Sequence, residues 1–333
     1  MPQTLRRAPG RWGEGSDCAG VIDSPSIYRR RRAAALGVLA VALLLIALAL
    51  RSCAGSEQQR AAKRDAPAAA AVSQLPGGGR RIFPGHRVVG FYGAPQSERL
   101  GALGIGTPDA AAARLKRAAG PYERRSRPVM LAFELLATIA NAHPGADGLY
   151  RTNQPPATID RYLLAARRAK ALLVLDIQPG RGDFLSDAKR LEHWLLQPEV
   201  GIALDPEWHV GDGEIPGQTI GSVTAEQVNA VSDYVSNLVV KHDLPEKLFL
   251  IHQFTDDMID GRDRLLARRG LAVTMNVDGF GNPANKISKY AAFTADKPRF
   301  HEGFKLFYEE DTDLMSPAAV LGLGPPPDVV VYE

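Results

Sequence analysis

Across residues 83–333, short apolar runs alternate with amphipathic stretches. The runs are rich in β-branched residues and lack a helical period, the pattern of buried parallel strands. The expected strands are Arg87–Tyr92, Pro128–Leu136, Ala171–Ile177, Val200–Asp205, Lys247–Phe254, Leu271–Val277, Phe304–Tyr308 and Val329–Tyr332. Between them, helix starts are written into the chain. Thr107-Pro108-Asp109 sets a capping residue before a Pro at the first helical position, and Ser316-Pro317 repeats the device before Ala318–Leu323. Thr224 with Gln227 forms a capping box for a helix over Val223–His242. Thr158–Ala171 and Asp183–Leu196 carry apolar residues at helical spacing, and a weaker helix is expected over Asp256–Arg269, where Gly261 interrupts the pattern. Eight strands alternating with helices over about 250 residues predict an α/β fold of the (β/α)8 TIM-barrel type. The last strand, Val329–Tyr332, would close the ring against the first. A doubly wound open sheet is the competing topology, but Gly90-Phe91-Tyr92-Gly93-Ala94-Pro95 holds no G-x-G-x-x-G fingerprint.

The hydropathy pattern upstream is different. Residues 1–32 are polar without an apolar period and read as a disordered cytoplasmic tail. Residues 33–50 are uncharged throughout and read as a transmembrane helix near the lower length limit. Arg29–Arg32 precede that run, which puts the N-terminus in the cytoplasm. A cleaved signal peptide is the rival, and a leader of 32 residues is long for that role. Leu50-Arg51-Ser52-Cys53-Ala54 resembles a bacterial lipobox, with Arg51 out of pattern. Both readings leave the rest of the chain outside the cytoplasmic membrane, as a single-pass protein of the cell membrane. Residues 51–82 read as a flexible linker, with Pro76-Gly77-Gly78-Gly79 marking its boundary and a domain over 83–333 following.

Composition narrows the chemistry. The net charge of +3 comes from the tail, where Arg6, Arg7, Arg11 and Arg29–Arg32 lie. The domain has no basic stripe interleaved with aromatics, so no nucleic-acid partner is expected. The two cysteines, Cys18 and Cys53, lie outside the domain and on opposite sides of the expected span, so no disulfide is expected. No G-x-S-x-G elbow and no phosphate-binding loop occurs. The seven histidines include no H-x-H pair, and neither a metal nor a cofactor is expected. Asp176, Asp205 and His252 form the one grouping that suits a divalent ion.

The strand ends concentrate the chemistry. In Val200–Val210, V-G-I-A-L-D-P-E-W-H-V, strand alternation puts Ala203, Asp205 and Glu207 on one face, beside Trp208. In a barrel, sites are built at the C-terminal ends of strands. Those ends offer Tyr92, Glu134, Asp176 with Gln178, Asp205 with Glu207 to His209, His252 with Gln253, Asn276 with Asp278, and Tyr308 to Asp311. Carboxylates, amides and aromatics together suit a carbohydrate, whose glycosidic bonds are cut by pairs of carboxyl groups. The candidate catalytic residues are Glu207, Asp205, Asp278 and Asp176. The candidate substrate-binding residues are Tyr92, Glu134, Trp208, Gln253, Asn276 and Tyr308. Simpler roles compete with these. Asp176 and Glu134 would serve as rim acids holding Arg181 or Lys305, His252 as a hydrogen-bonded core residue, and Glu309 to Asp311 as a solvated loop.

Gly201, Asp205 and Glu207 resemble part of the D-G-x-D-x-D-x-E motif of family 18 glycoside hydrolases. Met275-Asn276-Val277-Asp278 is similar to the M-x-Y-D of that family's sixth strand. The resemblance covers about a dozen residues and implies a barrel with Glu207 as general acid and Asp205 orienting an acetamido group. The chain departs from the pattern at Val200, Ala203 and Val277. In retaining enzymes of the largest clan of barrel glycosidases an acid follows strand four and a nucleophile strand seven, places that Glu207 and either Glu309 or Glu310 would fill. The expectation is a membrane-anchored, glycoside-hydrolase-like protein acting on a cell-envelope polysaccharide. The alternative is an inactive barrel that binds a glycan or an envelope partner protein, which the residues at 203 and 277 favour. An enzyme on a non-glycan substrate is a third reading.

Overall fold

The computed structural model describes residues 73–295 and 299–333, together with Leu45, Ile46 and Leu48. The expected tail and most of the expected span and linker lie outside the described residues; Leu45, Ile46 and Leu48 are helical and exposed. Among the described residues no helix is long and apolar enough to cross a membrane.

Eight strands form a closed parallel barrel: β1 Arg87–Gly93, β2 Val129–Ala140, β3 Leu172–Ile177, β4 Val200–Leu204, β5 Lys247–Gln253, β6 Leu271–Val277, β7 His301–Leu306 and β8 Val329–Tyr332. The ring closes where β8 pairs with β7 on one side and β1 on the other, Val88 opposite Val329 and Phe91 opposite Tyr332. Closure leaves no open edge in the ring.

Among the described residues of the barrel domain, seven helices follow the strands: α1 Pro108–Ala119, α2 Pro156–Ala169, α3 Phe184–Arg190, α4 Glu192–Leu195, α5 Ala225–Lys241, α6 Pro283–Phe293 and α7 Pro317–Leu321. Their starts are made as the sequence reads. Thr107 and Ser316 accept from the backbone N–H groups of Ala110 and Ala319, and Thr224 with Gln227 forms the reciprocal capping box. Asn282-Pro283 carries the same signal for α6, with the Asn282 side chain accepting from Asn285 N.

Three expected elements differ. Asp256–Arg269 is not a helix. It folds as two single turns around a two-residue strand, Ile259–Asp260, paired with Val223–Thr224. Met258, Ile259 and Leu265 are buried there, and Gly261 takes a left-handed φ of 68° that a helix does not allow. The helix expected over Asp183–Leu196 breaks at Leu191 into α3 and α4. The seventh strand begins at His301 and ends at Leu306, displaced towards the N-terminus from Phe304–Tyr308. Its polar opening, His301-Glu302, hides it from a hydropathy pattern.

The outward faces of the strands, including Phe133, Leu175, Ile202 and Phe249, pack beneath the helices as the main core. The inward faces form a second apolar cluster, in which Leu75, Ile82 and Phe83 pack with the strand-start residues Val88, Met130, Leu172, Leu248 and Val329. The packed chain therefore reaches back beyond Phe83. The Gly run read as a flexible boundary is a turn, with Gly78 N donating to Leu75 O at 2.8 Å. Glu246 Oε2 holds the segment by accepting from Ile82 N at 2.6 Å.

Candidate active site

Alternation along each strand divides the barrel interior by height. The lower inward residues are apolar or small: Val88, Ala132, Val174, Ala203, Leu250, Ala272 and Val331. Above them, at the C-terminal ends, the same faces carry Tyr92, Glu134, Asp176, Asp205, His252, Asn276, Asp278 and Lys305, all buried. Gly303 makes room in this layer, since a Cβ there would stand 2.5 Å from Asn276 Oδ1. Gly201 has a local reason too: a Cβ would stand 2.5 Å from the Leu248 carbonyl on the neighbouring strand.

Two sets of polar contacts run through the layer, and Asp176 belongs to neither. His252 Nδ1 lies 2.7 Å from Asp278 Oδ2 and Nε2 lies 2.8 Å from Glu134 Oε1, so an imidazolium donates to both carboxylates. Asn276 Nδ2 lies 3.3 Å from His252 Nδ1. Lys305 Nζ lies 3.2 Å from Asp278 Oδ2 and 2.7 Å from Glu333 Oε2. Gln178 Nε2 donates to the Tyr92 hydroxyl at 2.9 Å and reaches Asp205 Oδ2 at 3.4 Å.

The layer holds more acids than bases, and burial sorts them. Burial and the neighbouring Asp205 push the Asp176 carboxyl well up. Burial also raises Asp205, against the pull of His252 and Lys305. Asp278 goes the other way: burial opposes its charge, but Lys305, the His252 hydrogen bond and the Gly279 N–H hold it well below the usual carboxylate range. His252 and Lys305 are held protonated by their carboxylate neighbours despite the opposing effect of burial. Burial first, then Asp205 and Asp278, push Glu207 up to about 9.

A cavity of about 750 Å³ opens above the layer. Tyr92, Gln178, Glu207, Asp278, Lys305 and Glu333 form its polar wall, and Trp208, Phe254, Phe280 and Phe307 its aromatic one. Its size and mixed lining suit a small polar molecule or one unit of a polymer.

The candidate residues fall into three groups. Glu207, Asp278, Tyr92 and Trp208 line the cavity. Asp176, Asp205, Glu134 and Asn276 are buried outside that lining, in the polar layer. Gln253 and Tyr308 are elsewhere. Gln253 shares the outward parity of Phe249 and Ile251, and its amide donates to Thr255 O at 3.2 Å. Tyr308 follows the early end of β7 and stacks on Tyr332, ring centroids 5.1 Å apart. Of the acidic stretch after β7, Glu309 and Glu310 are exposed, the latter at the cavity rim. Asp311 pairs with Lys286 at 3.0 Å and accepts from the N–H groups of Gly281 and Phe307, which ties the loop down. Arg181 is no partner of the rim acids; it donates to Glu214 O and lies over the Tyr150 ring.

Four residues of the layer stand outside the candidate catalytic and substrate-binding set: Gln178 and His252, both read at strand ends, and Lys305 and Glu333. Lys305 left a signal, because a lysine between Phe304 and Leu306 has inward parity on a strand. His252 left the same signal one place before Gln253. Glu333, the last residue, left none. Glu134, Asp176 and His252 also bring one donor atom each to within 4.8 Å of one another, a set that could hold a metal ion. No protein-family model matches this chain, and no curated protein matches it.

Proposed function

We propose that the protein is a membrane-anchored, extracytoplasmic glycoside-hydrolase-like enzyme acting on a cell-envelope polysaccharide, with Glu207 as general acid. The observation that carries the reading is Glu207 on the cavity wall, kept protonated at neutral pH by burial and by Asp205 and Asp278. Breaking a glycosidic bond needs a proton on the leaving oxygen and negative charge near the oxocarbenium centre. Glu207 supplies the first. Asp278, ionised on the same cavity wall, supplies the second. Trp208 and Phe280 offer ring faces on which a sugar stacks. The uncharged run 33–50 behind Arg29–Arg32 supports the anchor and its orientation.

A second reading is an inactive barrel that binds a glycan or an envelope partner. Lys305 favours it, since its ammonium holds both Asp278 and Glu333 and neutralises the charge facing a substrate.

The test is release of reducing ends from cell-envelope polysaccharide by the full chain, beside glycan binding. Catalysis predicts that Glu207→Gln lowers turnover about 10²- to 10⁴-fold while leaving binding nearly intact. The binding-only reading predicts no turnover in the wild type and a larger loss of binding from Trp208→Ala than from Glu207→Gln. Full turnover by Glu207→Gln removes Glu207 from the mechanism.

A further inference from the structure

We infer that the polar layer beneath the cavity binds one divalent cation of the Mn²⁺ or Zn²⁺ kind, held by Glu134, Asp176 and His252 Nε2. The inference is independent of any action on glycans.

The donor atoms converge. One from each residue lies within 4.8 Å of the others, midway along β2 and near the C-terminal ends of β3 and β5. Ligand atoms about 2.0–2.2 Å from a tetrahedral ion stand roughly 3.3–3.6 Å apart, so closing the set takes side-chain shifts of up to about 1 Å. The His252–Glu134 contact, 2.8 Å, would open slightly as the ion replaces the Nε2 proton between them.

The second observation is that the carboxylate oxygens have nowhere else to go. Both oxygens of Asp176 and Oε2 of Glu134 are buried without a hydrogen-bond partner, on residues 0% and 1% exposed. A buried polar atom left unsatisfied costs about 1–3 kcal/mol, and more when charged. Asp187 is tied down by Arg151 and Arg190 and Asp311 by Lys286, while Asp205 and Glu302 each leave one buried oxygen without a partner. Asp176 leaves both. A cation accepts these lone pairs and offsets the excess of acids in the layer.

The third observation is the support behind the imidazole. Nδ1 is 2.7 Å from Asp278 Oδ2, and Asp278 is itself held by Lys305 and by the Gly279 N–H. A carboxylate on the far nitrogen fixes the tautomer and aims Nε2 at the ion, the usual support of a metal-binding histidine. The donor chemistry selects the metal class. An imidazole with two carboxylates and no thiolate suits Mn²⁺ or Zn²⁺, whereas Ca²⁺ and Mg²⁺ favour all-oxygen sets.

The test uses the full chain, stripped with a chelator and titrated with MnCl₂, the loss of the free-ion electron paramagnetic resonance signal counting bound metal. ZnCl₂ is then added as competitor. The expected result is one ion per chain, displaced by zinc. Asp176→Asn and His252→Gln should each weaken binding at least about tenfold, and Glu310→Gln, at the exposed rim, should not. Thermal melting identifies any variant that fails to fold, and the wild-type titration stands without the variants. Failure of the wild type to bind either ion overturns the inference, as does one equivalent bound with equal affinity by Asp176→Asn. A glycan assay that fails leaves this titration unaffected.

Discussion

The Nζ of Lys305 stands 3.8 Å from the centroid of the Tyr92 ring, a cation over an aromatic face inside the barrel. The same ammonium meets Asp278 and Glu333, so one lysine ties β7 to β1, to the loop after β6 and to the C-terminal residue. Lys305→Met keeps the length of the side chain and leaves the buried Asp278 and the partly buried Glu333 carboxylates without their shared cation. Loss of one partner from a buried ionic network costs about 3–5 kcal/mol. Chemical denaturation at neutral pH should show a loss of that size. A loss below about 1 kcal/mol would mean the carboxyls take up protons at little cost.

Glu207 makes stability fall with rising pH. Its folded pKa, about 9, lies above the value of roughly 4.3 in an unfolded chain. Its contribution is thus fully present below the unfolded value and is lost as pH rises through the folded one. Glu207→Gln removes that dependence. The melting temperature of the variant should exceed that of the wild type by a margin that grows from about pH 5 to about pH 9. A margin that does not change with pH would show that the Glu207 carboxyl is not held protonated.

Removing Val329–Glu333 should abolish cooperative unfolding. The segment pairs with β1 and β7, places the Tyr332 hydroxyl 2.6 Å from that of Tyr122, and carries the Glu333 partner of Lys305. Its loss exposes two strand edges and strands a buried cation. A truncated chain with an unchanged melting temperature would show that the barrel does not depend on closure.

Local pattern alone determined much of this fold. β-branched runs without helical period mark eight strands, the residue pairs Ser/Thr-Pro and the Thr224–Gln227 box mark helix starts, and β6 and β8 have the bounds the hydropathy pattern predicts. Period-two alternation put Ala203 and Asp205 on one inward side, because a strand's face is a property of the strand itself, whereas Glu207 reaches the cavity from the 3-10 turn Pro206–Trp208 that follows β4, where strand alternation no longer applies. Tertiary structure decided the rest. Packing of β5 into the ring decides which of its two alternating faces turns inward, which puts His252 inside and Gln253 outside, and the end of β7 at Leu306 takes Tyr308 away from the cavity. Met258, Ile259 and Leu265 found burial beside a two-residue strand rather than on a helix, since what covers an apolar residue lies elsewhere in the chain. The same holds for charge. His252 meets Glu134 across 118 residues of sequence, and Tyr92 meets Gln178 across 86. A single strand specifies which way a buried acid points, but its protonation and its partners are set by side chains that only ring closure brings within reach.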